Sequence, residues 1–447
     1  MDTYSLLPYL RKLKIYIPYL SVLCYAFFAH FTQRTAVIEF SLLYFLSFTL
    51  YLWASNILSL RQIIVLGILS RIVFYDSTPL LSQDFSRFIW DGHLILEGVN
   101  PYQFTPSELI EEYNSNRLMN SLYEIMGGLS QNNYSNYPPF NQFFFYLAAL
   151  CNPYEIEALR TVLFAADLGI LWLLQKLING AKANLWIGLY FLNPLVIIEG
   201  VGNLHFEGLM VFFFALAIWL IQKNRTNLSG LFWSLSVFVK LIPLMFLPLF
   251  LKSFKQRKKL GFYLMFSGSS IVLLLPLFQG NELANFWATL QLWFSNFAFN
   301  GSFYKLGKFT AEYLFNYPAY KFIKTHSAAV SAMVFFTSFY LGIKNSSTDK
   351  ALKNALLILS LYLFTTATVH PWYLITLLFL AVLHQQKFVV VWSASIFLSY
   401  LFYTGYSAQP WTALSFIIYL PVFAFLIYEN QRIILSVLSS WDVRRRQ

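Results

Sequence analysis

The sequence predicts an all-α, polytopic integral membrane protein, and three observations support this prediction. Of the 447 residues, 58% are hydrophobic and only 11% are charged, whereas a soluble chain carries roughly 25% charged residues. The apolar residues occur in long blocks, several of them near the length of about 20 residues that a membrane-spanning helix needs. The blocks are continuously apolar, which excludes a barrel, because the strands of a membrane barrel alternate. The most prominent blocks are Ile15–Phe31, Ala36–Leu60, Leu159–Leu177, Leu209–Ile221 and Phe388–Tyr403.

We expect one membrane-embedded domain over residues 1–447, with about 11–14 transmembrane or partial helices. The chain shows neither an internal repeat nor a low-complexity linker that would divide it. One block, Phe140–Cys151, is too short to span comfortably and follows the turn-rich segment Gln131–Pro139. This block predicts a partial or re-entrant helix.

Lysine and arginine gather in clusters between the apolar blocks and produce the net charge of +11. Because cytoplasmic loops collect these residues, the clusters and both termini are predicted to be cytoplasmic. The long loops over residues 76–137 and 280–326 are then outside, and the first holds eight acidic but only two basic residues. No nucleic-acid motif accompanies the charge, so we expect no nucleic-acid partner. The two cysteines form neither a disulfide framework nor a metal site, and the first block is expected to be a retained span.

The densest polar segment of the first outside loop is Ser82–Tyr102, SQDFSRFIWDGHLILEGVNPY. On a helix, Asp84, Arg87 and Asp91 share one face. Gly98, with a proline three residues later, predicts the end of that helix. The segment directly follows an apolar block, which places it at the outer edge of the membrane. The alternative is a solvated surface helix with an internal ion pair, which is a common arrangement.

Other polar residues interrupt the later apolar blocks, and the same topology places all of them outside. They are His205 and Glu207 in GNLHFEGL, Lys240 in VFVKLIPL, Asn300 and Lys305 in NGSFYK, and His370, Trp372 and Tyr373 in HPWY. Each has a structural alternative. His205 and Glu207 could belong to a snorkelling loop, and Lys240 could bond free backbone carbonyls. The segment with Asn300 and Lys305 could be an ordinary loop, and Trp372 could be an interfacial anchor. Ionisable groups at membrane depth are costly and usually functional. The topology is assigned from basic clusters elsewhere in the chain, so it does not presuppose that these residues share a side. Their convergence on one side therefore indicates a single outward-facing active site.

Lys240 also carries a prediction about topology. Only one apolar stretch, Leu228–Leu251, separates two clusters that are both expected in the cytoplasm, one beginning at Lys223 and one over residues 252–259. A single crossing would put one of these clusters on the wrong side. We therefore expect a re-entrant hairpin that breaks at Leu241–Pro243, because proline removes a backbone donor and clashes with the preceding turn. The tip would hold Lys240 toward the outer cavity.

The first-loop segment SQDFSRFIWDGHLILEGVNPY resembles the signature of bacterial membrane mannosyltransferases of the GT-C fold, those grouped with glycosyltransferase family eighty-seven. It is more distantly similar to the GPI-anchor mannosyltransferases. GNLHFEGL, VKLIPLMFLPL, FNGSFYKLGK and HPWYL resemble later blocks of the group in the same order, so the resemblance covers nearly the whole chain. It implies many helices around a large first outside loop, an essential acid in that loop, and a polyprenyl-phosphate sugar as donor. Asp84 matches the position of this acid.

The expected reaction is transfer of a hexosyl residue, most simply mannosyl, to a glycan or lipid-linked acceptor by an inverting displacement. Asp84 would be the base, with Asp91 as the alternative, and Arg87 and Asp91 would orient Asp84 or hold sugar hydroxyls. Lys240, His370 and Lys305 would stabilise the charge of the departing phosphate. The further substrate contacts are expected from His205, Glu207, Asn300, Tyr102, Trp372 and Tyr373, the last three as flat faces for a sugar ring. The resemblance to bacterial enzymes implies a bacterial inner membrane, and the charge-based topology then predicts an active site that faces the periplasm.

Two questions stay open at this level. A divalent cation, Mg²⁺ or Mn²⁺, is left open as a cofactor, because the chain has no adjacent Asp-x-Asp pair. The alternative function is a polytopic lipid or polysaccharide transporter or flippase, which predicts inverted repeats and broken helices near the midplane. No repeat is visible. A non-catalytic scaffold would leave the acidic first loop unexplained.

Overall fold

The computed structural model describes residues 3–32, 35–404 and 413–445, with the side chains of 14–32, 35–403 and 413–431. Over these residues the fold is all-α, as predicted, and pairing between extended segments is limited to isolated bridges at Phe299 and Asn300 with Thr368. The α-helices are α1 (Thr3–Phe31), α2 (Val37–Ile57), α3 (Leu60–Ile72), α4 (Asp84–Leu96), α5 (Pro106–Leu109), α6 (Arg117–Gln131), α7 (Pro139–Ala149), α8 (Glu155–Leu177), α9 (Ala183–Phe191), α10 (Glu207–Gln222), α11 (Thr226–Val239), α12 (Gln256–Leu274), α13 (Glu282–Ser295), α14 (Ser302–Phe315), α15 (Ala319–Lys344), α16 (Thr348–Thr365), α17 (Leu374–Leu383), α18 (Phe388–Ser395) and α19 (Ala413–Arg445). A π-helical segment covers Val196–Gly202, and 3₁₀ segments cover Ile242–Phe250, Leu275–Leu277, Pro371–Tyr373 and Ile396–Thr404.

The described part of the chain contains five helices long and apolar enough to cross a membrane, which lie in α1, α2, α12, α15 and α19. Helix α9 and the π-helical segment, bent by 48°, make a sixth span if they are counted together. Four further helical stretches are apolar but shorter. Large apolar side chains such as Leu264, Ile271 and Phe336 are exposed, which suits a surface that faces lipid. The chain is a multi-pass membrane protein.

Two buried arginines fasten the helices that carry the polar segments. Arg71 of α3 donates from Nε to the carboxylate of Asp167 in α8 at 2.7 Å. Arg160 of α8 donates to four backbone carbonyls, two at the start of the first long loop and two at the end of the π-helical segment: Tyr75, Ser77, Val201 and Gly202. Charge-assisted hydrogen bonds of this kind are the stronger ones, so both arginines act as cross-links between helices.

Helix α4 ends where the sequence predicts. The N–H of Val99 donates to the Leu94 carbonyl at 2.8 Å, and the N–H of Gly98 donates to the Ile95 carbonyl at 3.0 Å. This is a Schellman motif, which requires a left-handed residue, and Gly98 supplies it with φ +80°. Helix α7 is short, also as predicted, and packs against α4. A Cβ on Gly92 would lie only 2.2 Å from a backbone carbonyl of α7, so glycine permits this close approach.

The predicted reversal of the chain at Lys240 is confirmed. Helix α11 ends at Val239, Lys240 is extended, and the 3₁₀ segment Ile242–Phe250 returns beside α11. The Trp233 ring lies 4.9 Å from the ring of Phe250, whereas 17 residues of continuous helix would separate them by about 25 Å. At the base of this hairpin, Lys258 donates to the Asn224 side chain at 2.9 Å. Both basic clusters therefore lie at the same end of the molecule.

Candidate active site

Asp84 is the first residue of α4, where the positive end of the helix dipole favours a carboxylate. Its backbone N–H donates to the Ser82 hydroxyl at 3.2 Å, which fixes the start of the helix. The Asp84 side chain is 39% exposed, whereas the side chain of Asp91, two turns further along, is fully buried. Of these two acids, Asp84 is thus the one that a substrate can reach.

Arg87 and Asp91 form a buried pair that is occupied by protein partners. Arg87 Nε donates to Asp91 Oδ1 at 2.6 Å, and its Nη1 donates to two backbone carbonyls at and just beyond the end of α6. The other oxygen of Asp91 accepts from the Ser135 hydroxyl at 2.6 Å and from the Gln142 amide at 2.8 Å. These bonds tie α4 to α7 and to the turn that precedes α7. The geometry suits residues that position Asp84 through its helix.

His205 lies between two carboxylates that come from different segments. Its Nδ1 is 3.9 Å from Asp84 Oδ2, and its Nε2 is 3.6 Å from Glu199 Oε2. Both distances exceed those of good hydrogen bonds. Burial, reinforced by the positive charges of Lys240 and His370, lowers the pKa of His205 well below its usual range. We therefore expect a neutral imidazole beside Asp84.

Glu199 is the residue that sequence reasoning missed. It projects from the π-helical segment and is fully buried. Tyr400 donates to its Oε1 at 2.8 Å, and Asn203 donates to its Oε2 at 3.3 Å. π-helical turns frequently mark functional sites. A signal was present in the sequence, because a single acid within the run PLVIIEGV is costly at membrane depth and indicates a function.

Four rings stack in one column that begins at His205. The ring of Trp372 lies 3.7 Å from His205 on one face and 4.4 Å from His370 on the other, and both pairs are nearly parallel. His370 in turn stacks on Phe299 at 4.7 Å. Two faces of Trp372 are therefore covered by imidazole rings. The expectation that Trp372 offers a flat face to a sugar is corrected, because such a face is not free.

Tyr102 is corrected in the same way. It is 1% exposed, packs edge-on against Phe286 at 5.6 Å, and donates its hydroxyl to the Tyr137 carbonyl at 2.5 Å. It joins the first long loop to α13 rather than facing a substrate. Tyr373, which is half-buried beside the column, is the aromatic ring still available to a sugar.

The segment around Asn300 positions His370. The N–H of Phe299 donates to the Ala367 carbonyl at 3.0 Å, and the N–H of Val369 donates back to the Phe299 carbonyl at 2.8 Å. Asn300 has φ +54°, a left-handed conformation that asparagine tolerates better than most residues. Its side chain is 3% exposed, and its amide has no hydrogen-bond partner within the described ranges. Asn300 thus turns the chain and leaves a polar group near the column.

Lys240 donates to Glu207, the first residue of α10. The Glu207 side chain is fully buried, whereas the Lys240 side chain is 21% exposed. The ammonium also lies 6.0 Å from the centre of the Tyr373 ring, within the range of a cation–π contact. Lys240 therefore presents a partly accessible positive charge at the tip of the hairpin.

Lys305 lies behind the ring column rather than beside Asp84. Its ammonium donates to the Ser415 hydroxyl at 3.0 Å and sits 3.9 Å from the centre of the Phe402 ring. The ring of Phe402 in turn lies 6.1 Å from the ring of Phe299, the last member of the column. Burial lowers the pKa of Lys305 to about 8. Within the described residues, Lys305 contacts Ser415 and Phe402 and not Asp84.

The structure thus brings together most of the residues that the sequence singled out, although they come from four distant segments. The connected residues are Asp84, His205, Glu207, Lys240, His370, Trp372 and Tyr373. Among the described residues, no group of three or more His, Cys, Asp or Glu side chains is arranged to hold a metal ion. The cluster combines an accessible acid, Asp84, and an accessible ammonium, Lys240, with the buried imidazole of His205 beside the acid.

Comparison with known proteins identifies a family. The model of a family described as "Alpha-(1->6)-mannopyranosyltransferase, N-terminal domain" matches residues 29–254, just over half of the 447 residues. The matched part includes Asp84, His205, Glu207 and Lys240, whereas His370 lies beyond it. No curated protein and no solved structure matches the chain.

Proposed function

The chain belongs to the alpha-(1->6)-mannopyranosyltransferase family, and from this premise we propose that it transfers a mannosyl residue from a polyprenyl-phosphate carrier to a glycan or lipid-linked acceptor. That it is a membrane-embedded glycosyltransferase follows from the family and from its apolar helices. The carrier, the inverting course and a site on the non-cytoplasmic face are the parts that we add. The family argues against a transporter or flippase.

One observation carries the proposal: an accessible carboxylate and an accessible ammonium lie in one cluster within the membrane domain. Asp84 adjoins His205, and Lys240 adjoins Glu207 and Tyr373. A polyprenyl-phosphate sugar brings its leaving group in the membrane, so the protein needs a base and a cation rather than a nucleotide site. The sequence has no Gly-rich phosphate loop, which fits this donor.

The reaction is a single displacement at the anomeric carbon. Asp84 takes the proton of the acceptor hydroxyl as its oxygen attacks. The bond from the anomeric carbon to the phosphate oxygen breaks, and the phosphate leaves with the electron pair. Lys240 and His370 stabilise the negative charge that grows on that oxygen. His205 lies between Asp84 and the buried Glu199 and helps to position the Asp84 carboxylate. The Arg87–Asp91 pair fixes the position of helix α4.

We predict a strict choice of donor. Purified protein in proteoliposomes should transfer mannose from a polyprenyl-phosphate mannose and should leave GDP-mannose unused, because Lys240 offers the phosphate a positive charge and the sequence has no Gly-rich phosphate loop for a nucleotide. The measurement is label in the acceptor with each donor, at equal concentration. Efficient transfer from GDP-mannose without any lipid carrier would contradict the assignment of the donor.

We also predict the orientation of the hairpin. In a background without Cys24 and Cys151, cysteines replacing Asn224 and Gln256 should resist an impermeant thiol reagent in intact cells and react after lysis. The reason is that both positions lie at the base, next to the Lys258 contact, where basic residues favour the cytoplasm. A cysteine replacing Glu112 in the exposed first loop is the control that should react in intact cells. Labelling at 224 or 256 before lysis would place the Asp84 cluster on the cytoplasmic side.

A further inference from the structure

A cleft at the other end of the molecule has a composition that the transfer reaction does not use. It has a volume of about 470 Å³ and is lined by Trp172, Lys176, Trp219, Gln222 and Lys223. Helix α10 begins at Glu207 in the candidate active site, and Lys223 caps its opposite end. Sixteen residues of helix separate the two sites by about 24 Å. The cleft is therefore a separate feature.

The cleft is built twice from the same short sequence. The last turns of α8 contain Trp-Leu-Leu-Gln-Lys over residues 172–176, and Trp-Leu-Ile-Gln-Lys over residues 219–223 covers the end of α10 and its C-cap, Lys223. In each copy the lysine lies one turn after the tryptophan, and its ammonium is 5.9 Å from the centre of that ring. The tryptophan rings of the two copies meet edge to face at 5.2 Å. The parallel helices α8 and α10 thus place one tryptophan–lysine pair each at the same end of the molecule.

The two lysines give this cleft a positive charge that favours an anionic ligand. Both lysines are exposed, and among the described residues neither ammonium forms an ion pair with a carboxylate. The neighbouring hairpin adds further positive charge, because Lys258 contacts Asn224 directly after Lys223. Like charges that converge without a counter-ion raise the local positive potential and attract anions.

The two tryptophans beside the lysines indicate that the anion is a lipid headgroup. Tryptophan settles at the level of lipid headgroups, with its apolar body toward the acyl chains, and Trp172 is 45% exposed. Basic residues at this level bind the anionic headgroups of the adjoining leaflet. We propose that the Trp172–Trp219 cleft binds the phosphate of an anionic phospholipid, with the ammonium groups of Lys176 and Lys223 on the phosphate and the tryptophan rings against the glycerol and upper acyl chains.

The proposal can be tested on the full chain purified in detergent, with bound phosphatidylglycerol and phosphatidylcholine counted by native mass spectrometry. Phosphatidylglycerol should be retained in preference to phosphatidylcholine. Lys176→Gln combined with Lys223→Gln should weaken this binding about 30-fold, since each lysine contributes about a factor of five. Replacement of both by arginine keeps the charges and should keep the lipid. Arginine variants that lose the lipid as completely as the glutamine variants would contradict a charge-based site.

Two controls make the result decisive. Lys344→Gln combined with Lys350→Gln removes the same charge elsewhere; Lys344 also lies over an aromatic ring, that of Tyr340, but without a second copy. This control should retain phosphatidylglycerol as the wild type does. Equal retention in all variants would overturn the proposal. Displacement of the lipid by glycerol phosphate at comparable concentration would also overturn it, because the cleft would then recognise a free phosphate rather than a lipid.

Discussion

Replacing Asp84 with asparagine should leave the protein folded and lower its turnover by about two orders of magnitude or more, the scale expected when a general base is lost. The substitution preserves the shape of the side chain but removes its ability to accept a proton. Among the described acids of the cluster, Asp84 is the one with a substantially exposed carboxylate. Glu199 and Glu207 are fully buried, so neither can replace Asp84 without movement. The measurement is the initial rate of mannosyl transfer in proteoliposomes, with saturating donor and acceptor.

Two other acids of the same loop serve as controls for this result. Asp76→Asn changes an acid that is 81% exposed near the start of the loop, and its turnover should stay close to that of the wild type. Asp91→Asn leaves the buried Arg87 without its partner, which typically costs about 3–5 kcal/mol, so the melting temperature should fall. Near-normal turnover of Asp84→Asn, measured at equal protein stability, would remove Asp84 from the mechanism.

Local signals predicted the structure around Asp84 well. The helical face of Asp84, Arg87 and Asp91 and the end at Gly98 depend on residues within one or two turns. The hairpin at Lys240 was also predictable, because it follows from the position of basic clusters and one proline. These features rest on periodicity, charge or backbone chemistry, each of which acts over a short stretch of chain.

The partners of these residues could not be predicted, because they come from distant segments. The Asp91 carboxylate is satisfied by Ser135 and Gln142, which are 44 and 51 residues away. Trp372 and His370 were identified as candidates, but their stacking with His205 depends on how three loops meet. Sequence alone indicated which residues are costly to bury. It did not reveal which of them are covered by neighbours and which remain open to a substrate.

Lys240 should be essential for use of the lipid donor, and its ion pair with Glu207 allows that role to be separated from stability. Lys240→Gln should lower kcat/KM for the polyprenyl-phosphate donor by about two to three orders of magnitude, comparable to loss of a residue that stabilises transition-state charge. Glu207→Gln keeps the ammonium and should lower kcat/KM by about tenfold or less. Lys305→Gln removes a cation behind the ring column and should have a small effect, which makes it the matched control.

The single variant Lys240→Gln is ambiguous by itself, because it leaves Glu207 buried without a counter-ion and so destabilises the fold. The double variant Lys240→Gln/Glu207→Gln removes both charges and leaves two amides that can bond each other. If the lysine holds the donor phosphate, the double variant should regain the wild-type melting temperature yet remain as inactive as Lys240→Gln. If the pair is only structural, the double variant should recover activity together with stability. Recovery of transfer to the level of Glu207→Gln would therefore exclude Lys240 as a phosphate ligand.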